Sequence, residues 1–167
     1  MKSASTPRPS HRAWRLASVG IILVVFGLAF RAHYRLVIVS GTSMLPTLKP
    51  GDVLLIDKRA YQQFEPGRGD IVVAQCSAGL VVKRVVGLPG EEVEVQKGKL
   101  YINGGLMNEK HLTEPGWLDV ETGTLLAGDF ATLGDNRAIV AALAVHPIVT
   151  KADILGKVVL ALGKHIR

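Results

Sequence analysis

A mainly β domain, a curved sheet or partly closed β-barrel carried behind one N-terminal transmembrane helix, is the fold class this sequence predicts. Three observations lead to it. The stretch LASVGIILVVFGLAF, between Arg15 and Arg31, holds no charge. Beyond Arg35, short Val/Ile/Leu runs are cut by Gly and Pro, and no run of about a dozen residues keeps a helical period. Hydrophobic residues make up 48% of the chain but aromatic ones only 5%, and there are 18 glycines, a balance that leans toward strands and turns.

The elements follow in order. Residues 1–15 contain Ser and Pro without apolar period and read as a disordered cytoplasmic tail. Residues 16–30 read as the anchor; as a helix they span roughly 22 Å, short of the ~30 Å hydrocarbon core, and the flanking arginines and Ala13-Trp14 extend that reach. A cleaved secretory signal is the competing reading, with Gly27-Leu28-Ala29 as its small-x-small triplet. The apolar stretch, however, runs straight into Phe30 and Arg31 without a polar cleavage region, which favours a retained anchor. Strands are expected at Leu36–Val39, Asp52–Ile56, Asp70–Ala74, Leu80–Val86, Glu92–Gln96, Lys99–Ile102, Phe130–Leu133 and Ile154–Leu162. Turns are expected at Leu88-Pro89-Gly90, Lys97-Gly98 and Asn103-Gly104. Residues 104–124 mix polarity with turn formers and read as an irregular excursion. Residues 36–167 would thus form a single extracytoplasmic domain, which is what a chain of 167 residues accommodates beside an anchor.

Charge placement narrows the function. The net charge is +6, and six Lys/Arg (Lys2, Arg8, Arg12, Arg15, Arg31, Arg35) lie before Leu36 with no acid among them; the other 14 Lys/Arg are matched by all 14 Asp/Glu. A basic excess confined to the N-terminus points to membrane topology, with the N-terminus cytoplasmic, and away from a nucleic-acid groove. One cysteine, Cys76, allows no intramolecular disulfide. It reads as a small buried hydrophobe.

Ser43, in VSGTSMLPTLKPGDVLLIDK (Val39 to Lys58), lies in a stretch where Pro46 and Pro50 rule out a regular helix. A serine hydroxyl needs a neighbouring base to become a nucleophile. His11, His33 and His165 lie in the tail, beside the anchor and near the end, while His111 and His146 have no supporting pattern. The G-x-S-x-G elbow fails at Leu45, and neither H-E-x-x-H nor a Cys/His cluster exists. Lysine is the other available base. In GLVVKRVVG (Gly79 to Gly87), period-two alternation puts Lys83 on one strand face with Val81 and Val85, and Arg84 on the other with Val82 and Val86. If the Lys83 face is buried, its amine loses protonation more readily; a base near neutrality needs a drop of about 3 units, within the range of buried lysines. The alternative, a lysine snorkelling from an edge strand, stays open on the strand pattern alone.

Ser43-Met44-x-Pro46-Thr47-Leu48, Arg68-Gly69-Asp70-Ile71-Val72-Val73, Lys83-Arg84-Val85-Val86-Gly87-Leu88-Pro89-Gly90, Gly134-Asp135-Asn136-Arg137 and Ile154-Leu155-Gly156-Lys157 occur in this order. Together they resemble bacterial type I signal peptidase in its compact form. The resemblance implies a mainly β, membrane-anchored serine endopeptidase that removes signal peptides from exported preproteins outside the membrane, after Ala-x-Ala. It implies Ser43 as nucleophile and Lys83 as general base, with the Ser43 backbone N–H in the oxyanion hole. Gly41 stands where longer members carry a second oxyanion donor, so that donor stays open. Met44 and Val82 fall among the residues shaping the pocket for small side chains, and Arg84 and Asp135 are supporting residues. The dyad supplies both nucleophile and proton acceptor, so no metal or organic cofactor is implied.

One departure stands out. After Gly-Asp-Asn-Arg the family continues, two residues on, with Ser-x-Asp-Ser-Arg; here Val140 replaces the serine that hydrogen-bonds the catalytic lysine, and Ala142 and Ala144 replace an Asp and an Arg. That departure leaves two alternatives: a weakened or inactive membrane-anchored peptide-binding relative, and a specialised maturation peptidase such as one for a conjugative pilin. A self-cleaving Ser/Lys repressor is disfavoured by the tail and anchor, which stand where such proteins carry a DNA-binding domain.

Overall fold

The computed structural model describes residues 11–77, 79–109, 112, 116–138 and 148–163. Val140, Ala142, Ala144, His111, His146 and His165 lie outside this set. Contacts divide the chain into two units, residues 1–34 and 35–167, each taken by itself below.

In the first unit a helix, α1, runs His11–His33. Its Trp14–His33 segment is 20 residues long with mean hydropathy 1.9, and its Leu, Ile, Val and Phe side chains are exposed. Twenty helical residues span about 30 Å, the thickness of a bilayer's hydrocarbon core. The helix thus takes in residues 11–15, read from sequence as tail, and extends past Arg31. The backbone stays hydrogen-bonded through polar flanks that a hydropathy boundary excludes.

The second unit is built of antiparallel strands: β1 Tyr34–Ile38, β2 Val53–Asp57, β3 Ile71–Cys76, β4 Gly79–Gly87, β5 Glu92–Gln96, β6 Lys99–Ile102, β7 Gly105–Leu106, β8 Val120–Thr124, β9 Asp129–Leu133, β10 Ile148–Thr150 and β11 Ile154–Leu162. They form a seven-stranded sheet ordered β1-β2-β11-β3-β4-β9-β10 and a four-stranded sheet ordered β7-β6-β5-β8. The mainly β class stands, as two open sheets and not a closed barrel. β5, β6 and β11 have the boundaries their alternation predicts, and the β5–β6 hairpin turns on Lys97 and Gly98, both at positive φ as a two-residue hairpin requires.

Three short strands escape the sequence pattern. β7 is two residues long, and β8, VETGT, has no apolar run. β8 exists because β5 supplies its partner: Val120 lies opposite Val95, and the Thr122 hydroxyl donates to the Val93 carbonyl at 3.1 Å. β10 likewise forms by pairing with β9, Val149 opposite Phe130. Tertiary pairing overrides weak local propensity at all three.

The core is organised around β4. On one face Val82 joins Met44, Leu48, Leu54, Ile56 and Val73. On the other, Val85 packs with Val72, Ala74, Phe130 and Val149, and Val81 borders them. Further along, Val86 meets Val93, Val95, Leu125 and Leu133, joining the two sheets. Two of the quoted motifs meet on this scaffold, since the Lys157 ammonium contacts the Asp70 carboxylate at 2.6 Å.

Candidate active site

Ser43 sits in the turn between β1 and β2. The turn's base is apolar, Met44 and Leu48 being 1% and 2% exposed, while Ser43 itself is half-buried and Gly41 exposed. The chain folds back here because Val39 donates its N–H to Asp52 O at 2.9 Å and Gly51 returns one to Val39 O at 2.8 Å. The Lys49 N–H donates to the Asp52 carboxylate at 2.8 Å. A short β-ribbon thus closes below the turn and holds it out from the sheet.

The segment after β9 clamps the turn from the side. Asn136 donates its backbone N–H to Ser43 O at 2.9 Å, and its side-chain amide donates to Thr42 O at 3.2 Å. Gly134 lies so close that an added Cβ would overlap the Ser43 carbonyl oxygen and stand 3.3 Å from the Ser43 Cβ. Only glycine permits that approach. The Thr47 hydroxyl donates to the Asp135 carboxylate, which also receives Arg84 Nε at 2.9 Å and Arg84 Nη2 at 2.7 Å. Asp135 therefore bridges the serine turn to β4 through a two-pronged arginine fork. Arg84 Nη1 is bonded in addition to Gly69 O at 2.9 Å.

Lys83, next to Arg84, lies on the opposite face. Its partner across β3 is Val72, which is fully buried. Burial drives the Lys83 pKa below the ordinary lysine value of 10.5, against a smaller upward pull from Cys76 in its thiolate form. Desolvation penalises the ammonium while leaving the free amine, the form a base needs, nearly untouched. The sheet register brings this lysine toward the serine turn. Arg84 is opposite Leu133, so the next step along β4 brings Lys83 level with Gly134, the residue against which Ser43 packs.

A groove of about 390 Å³ opens between the two segments, and Gly41, Ser43, Met44, Val82 and Lys83 all line it. Val37 and Ile38 form the wall from β1, continued by Val39, and Leu80 and Val81 that from β4. The pairing of β9 with β4 begins at Arg84. Among the described residues, the Gly79–Lys83 half of β4 therefore has β3 on one side and no strand on the other.

Sequence reasoning did not find three supports of this site. Thr47 was quoted only as motif text. Gly134 enters only as part of the Gly-Asp-Asn-Arg motif, because its close approach depends on Ser43, about ninety positions away. Arg137, 1% exposed, donates to Gly134 O at 2.8 Å and Gly98 O at 3.1 Å and pairs with Glu109 at 2.6 Å, fixing the loop after β9 to the four-stranded sheet. The Gly-Asp-Asn-Arg motif was the available signal for the last two.

In this mainly β domain the serine turn and the half-buried Lys83 thus line one largely apolar groove. Comparison with known proteins gives the family. The family described as signal peptidase, peptidase S26, matches residues 12–162, and the chain belongs to it. Signal peptidase I of Bacillus amyloliquefaciens is 35% identical over 146 residues, 80% of this chain and 76% of that protein. That of Bacillus licheniformis is 38% identical over 130 residues, 70% of each. A probable signal peptidase I-2 of Synechocystis is 31% identical over 143 residues, covering 77% of this chain and 64% of its own length. A crystal structure of a signal peptidase I from Enterococcus faecalis is 29% identical, with a TM-score of 0.48, covering 56% of this chain and 97% of that one.

Proposed function

We propose that this protein is a membrane-bound serine endopeptidase that cleaves signal peptides from exported preproteins, with Ser43 as nucleophile and Lys83 as general base. The observation that carries the reading is that a lysine with a depressed pKa and the serine turn line the same groove. Family membership supports the substrate class.

The chemistry runs from those two side chains. The neutral Lys83 amine takes the Ser43 hydroxyl proton as Oγ attacks the carbonyl of the scissile peptide bond. The resulting oxyanion is met by the Ser43 backbone N–H, with Gly41 beside it in the groove. Lys83, now an ammonium, returns the proton to the leaving amine and the acyl-enzyme forms. A water then attacks the ester, Lys83 accepts its proton, and the Ser43 oxygen leaves as the hydroxyl while the signal peptide departs as a carboxylate. The preprotein lies extended along the open half of β4, adding a strand to its edge. Met44 and Val82 limit the pocket to small side chains such as the alanines of Ala-x-Ala.

In this reading α1 is the single anchor in the bacterial plasma membrane, the basic N-terminal segment is cytoplasmic, and residues 36–167 form the extracytoplasmic peptidase domain. The test is cleavage of a preprotein bearing an Ala-x-Ala site by the full chain in detergent. Ser43→Ala and Lys83→Ala are each expected to lower turnover at least ~10³-fold. Cleavage at the wild-type rate by either variant would sink the assignment.

A further inference from the structure

β9 carries a buried polar group that the mechanism above does not use. Thr132 is 2% exposed, and among the described residues its hydroxyl has no hydrogen-bond partner. An unpaired buried hydroxyl destabilises the fold that holds it. Its place in the sheet says what it faces. Thr132 lies opposite Val85, and Val85 shares its strand face with Lys83, two residues earlier. The two polar side chains are thus diagonal neighbours on one sheet face, a separation within reach of a long side chain.

Among the described residues, Val72, Val81, Phe130 and Val149 pack on the same face. Among the described residues, titratable groups packed against this cluster include Cys76 on β3, which interacts electrostatically with Lys83, and Tyr61, whose hydroxyl donates to Asp70 at 2.9 Å. Asp153 acts on Cys76 from the turn before β11. On the β4 side of Thr132, the register offers Val85 and the Lys83 amine.

We propose that Thr132 is a positioning residue for Lys83, its hydroxyl accepting a hydrogen bond from the ammonium or donating one to the free amine, directly or through one water. A hydroxyl can do both. It therefore stays bonded to Nζ through the whole proton cycle and limits the rotamers that would carry the amine away from Ser43. The inference rests on Lys83 being the base.

Thr132→Val tests it, because valine keeps the shape and removes only the hydroxyl. With the full chain in detergent and an Ala-x-Ala preprotein, kcat/KM is expected to fall about 10- to 100-fold, the range seen when a hydrogen-bonded support of a functional side chain is lost. The acidic limb of the pH profile should move to lower pH, since the ammonium loses an acceptor. The Tm should hold or rise, and Thr132→Ser should restore both rate and limb. A wild-type profile in Thr132→Val overturns the proposal, and so does a lowered Tm with an unmoved limb, which would make the hydroxyl structural only. If the valine variant does not fold, Thr132→Ala reads the same limb. Ser43→Ala and Lys83→Ala in the same assay separate the two failures: if they still cleave, the dyad is wrong, and if they are dead beside an unaffected Thr132→Val, only the positioning role is.

Discussion

Lys83 and Arg84 are adjacent cations on one strand, and the fold treats them in opposite ways. Arg84 leaves the sheet toward Asp135 and is neutralised by the fork to that side chain, which is 1% exposed. Lys83 leaves on the other face, beside Val72, Val81 and Val85, where burial weakens its hold on a proton. A one-residue step along a strand exchanges faces, so the same pair of charges yields one permanent structural cation and one amine that can cycle. The lesson is that pairing and non-pairing have separate consequences: Arg84 is stabilised and ties β4 to the serine turn through Asp135, while Lys83 is destabilised as an ion, which is what the proposed mechanism asks of a base.

The sharpest way to break this contrast is to remove the cycling amine. The ~10³-fold loss expected for Lys83→Ala corresponds to about 4 kcal/mol of transition-state stabilisation, and Lys83→Arg should be equally dead because guanidinium does not deprotonate. Next in size is the structural cation. Arg84→Met leaves the Asp135 carboxylate buried without its arginine, and unfolding by denaturant should show a loss of about 3–5 kcal/mol. Arg84→Lys keeps the charge but loses the fork, and should fall between.

Gly134→Ala strikes the point where the two segments meet. Its Cβ has no room against the Ser43 carbonyl, so the turn must shift, and a misplacement of the order of 1 Å lowers kcat/KM about 10²-fold. Steady-state kinetics on a folded variant would check this.

The smallest expected effect has the opposite sign. A half-buried lysine with a depressed pKa costs stability in full at pH values below its folded-state pKa, where the partly desolvated ammonium persists. The cost fades as the pH rises from that value toward 10.5, because the amine is then neutral in the fold. Lys83→Met should therefore raise Tm by a few degrees near neutral pH, with a gain that shrinks in alkaline buffer. An unchanged or lower Tm would mean that Lys83 is not desolvated.

Much of this arrangement was legible before the structure. Period-two alternation placed Lys83 and Arg84 on opposite faces, and it located eight of the strands because their apolar residues must meet a core. The serine turn announced itself through two prolines. What stayed hidden depends on contacts distant in the chain. β8 takes its conformation from β5, Thr47 gains meaning only when Asp135 arrives 88 positions later, and the buried state of Arg137 depends on Gly98 and Glu109 together. Thr132 was unreadable for the same reason, since a threonine in a strand is ordinary until its register partner is known.

The central claim is that Lys83 is the cation the fold has made easy to deprotonate. Its direct measure is the pH titration of the Lys83 side-chain carbon resonance, 13Cε, in the folded protein in detergent, assigned by its absence in Lys83→Ala. The expected result is a midpoint below the ordinary lysine value of 10.5. A midpoint among those of the exposed lysines would contradict the account.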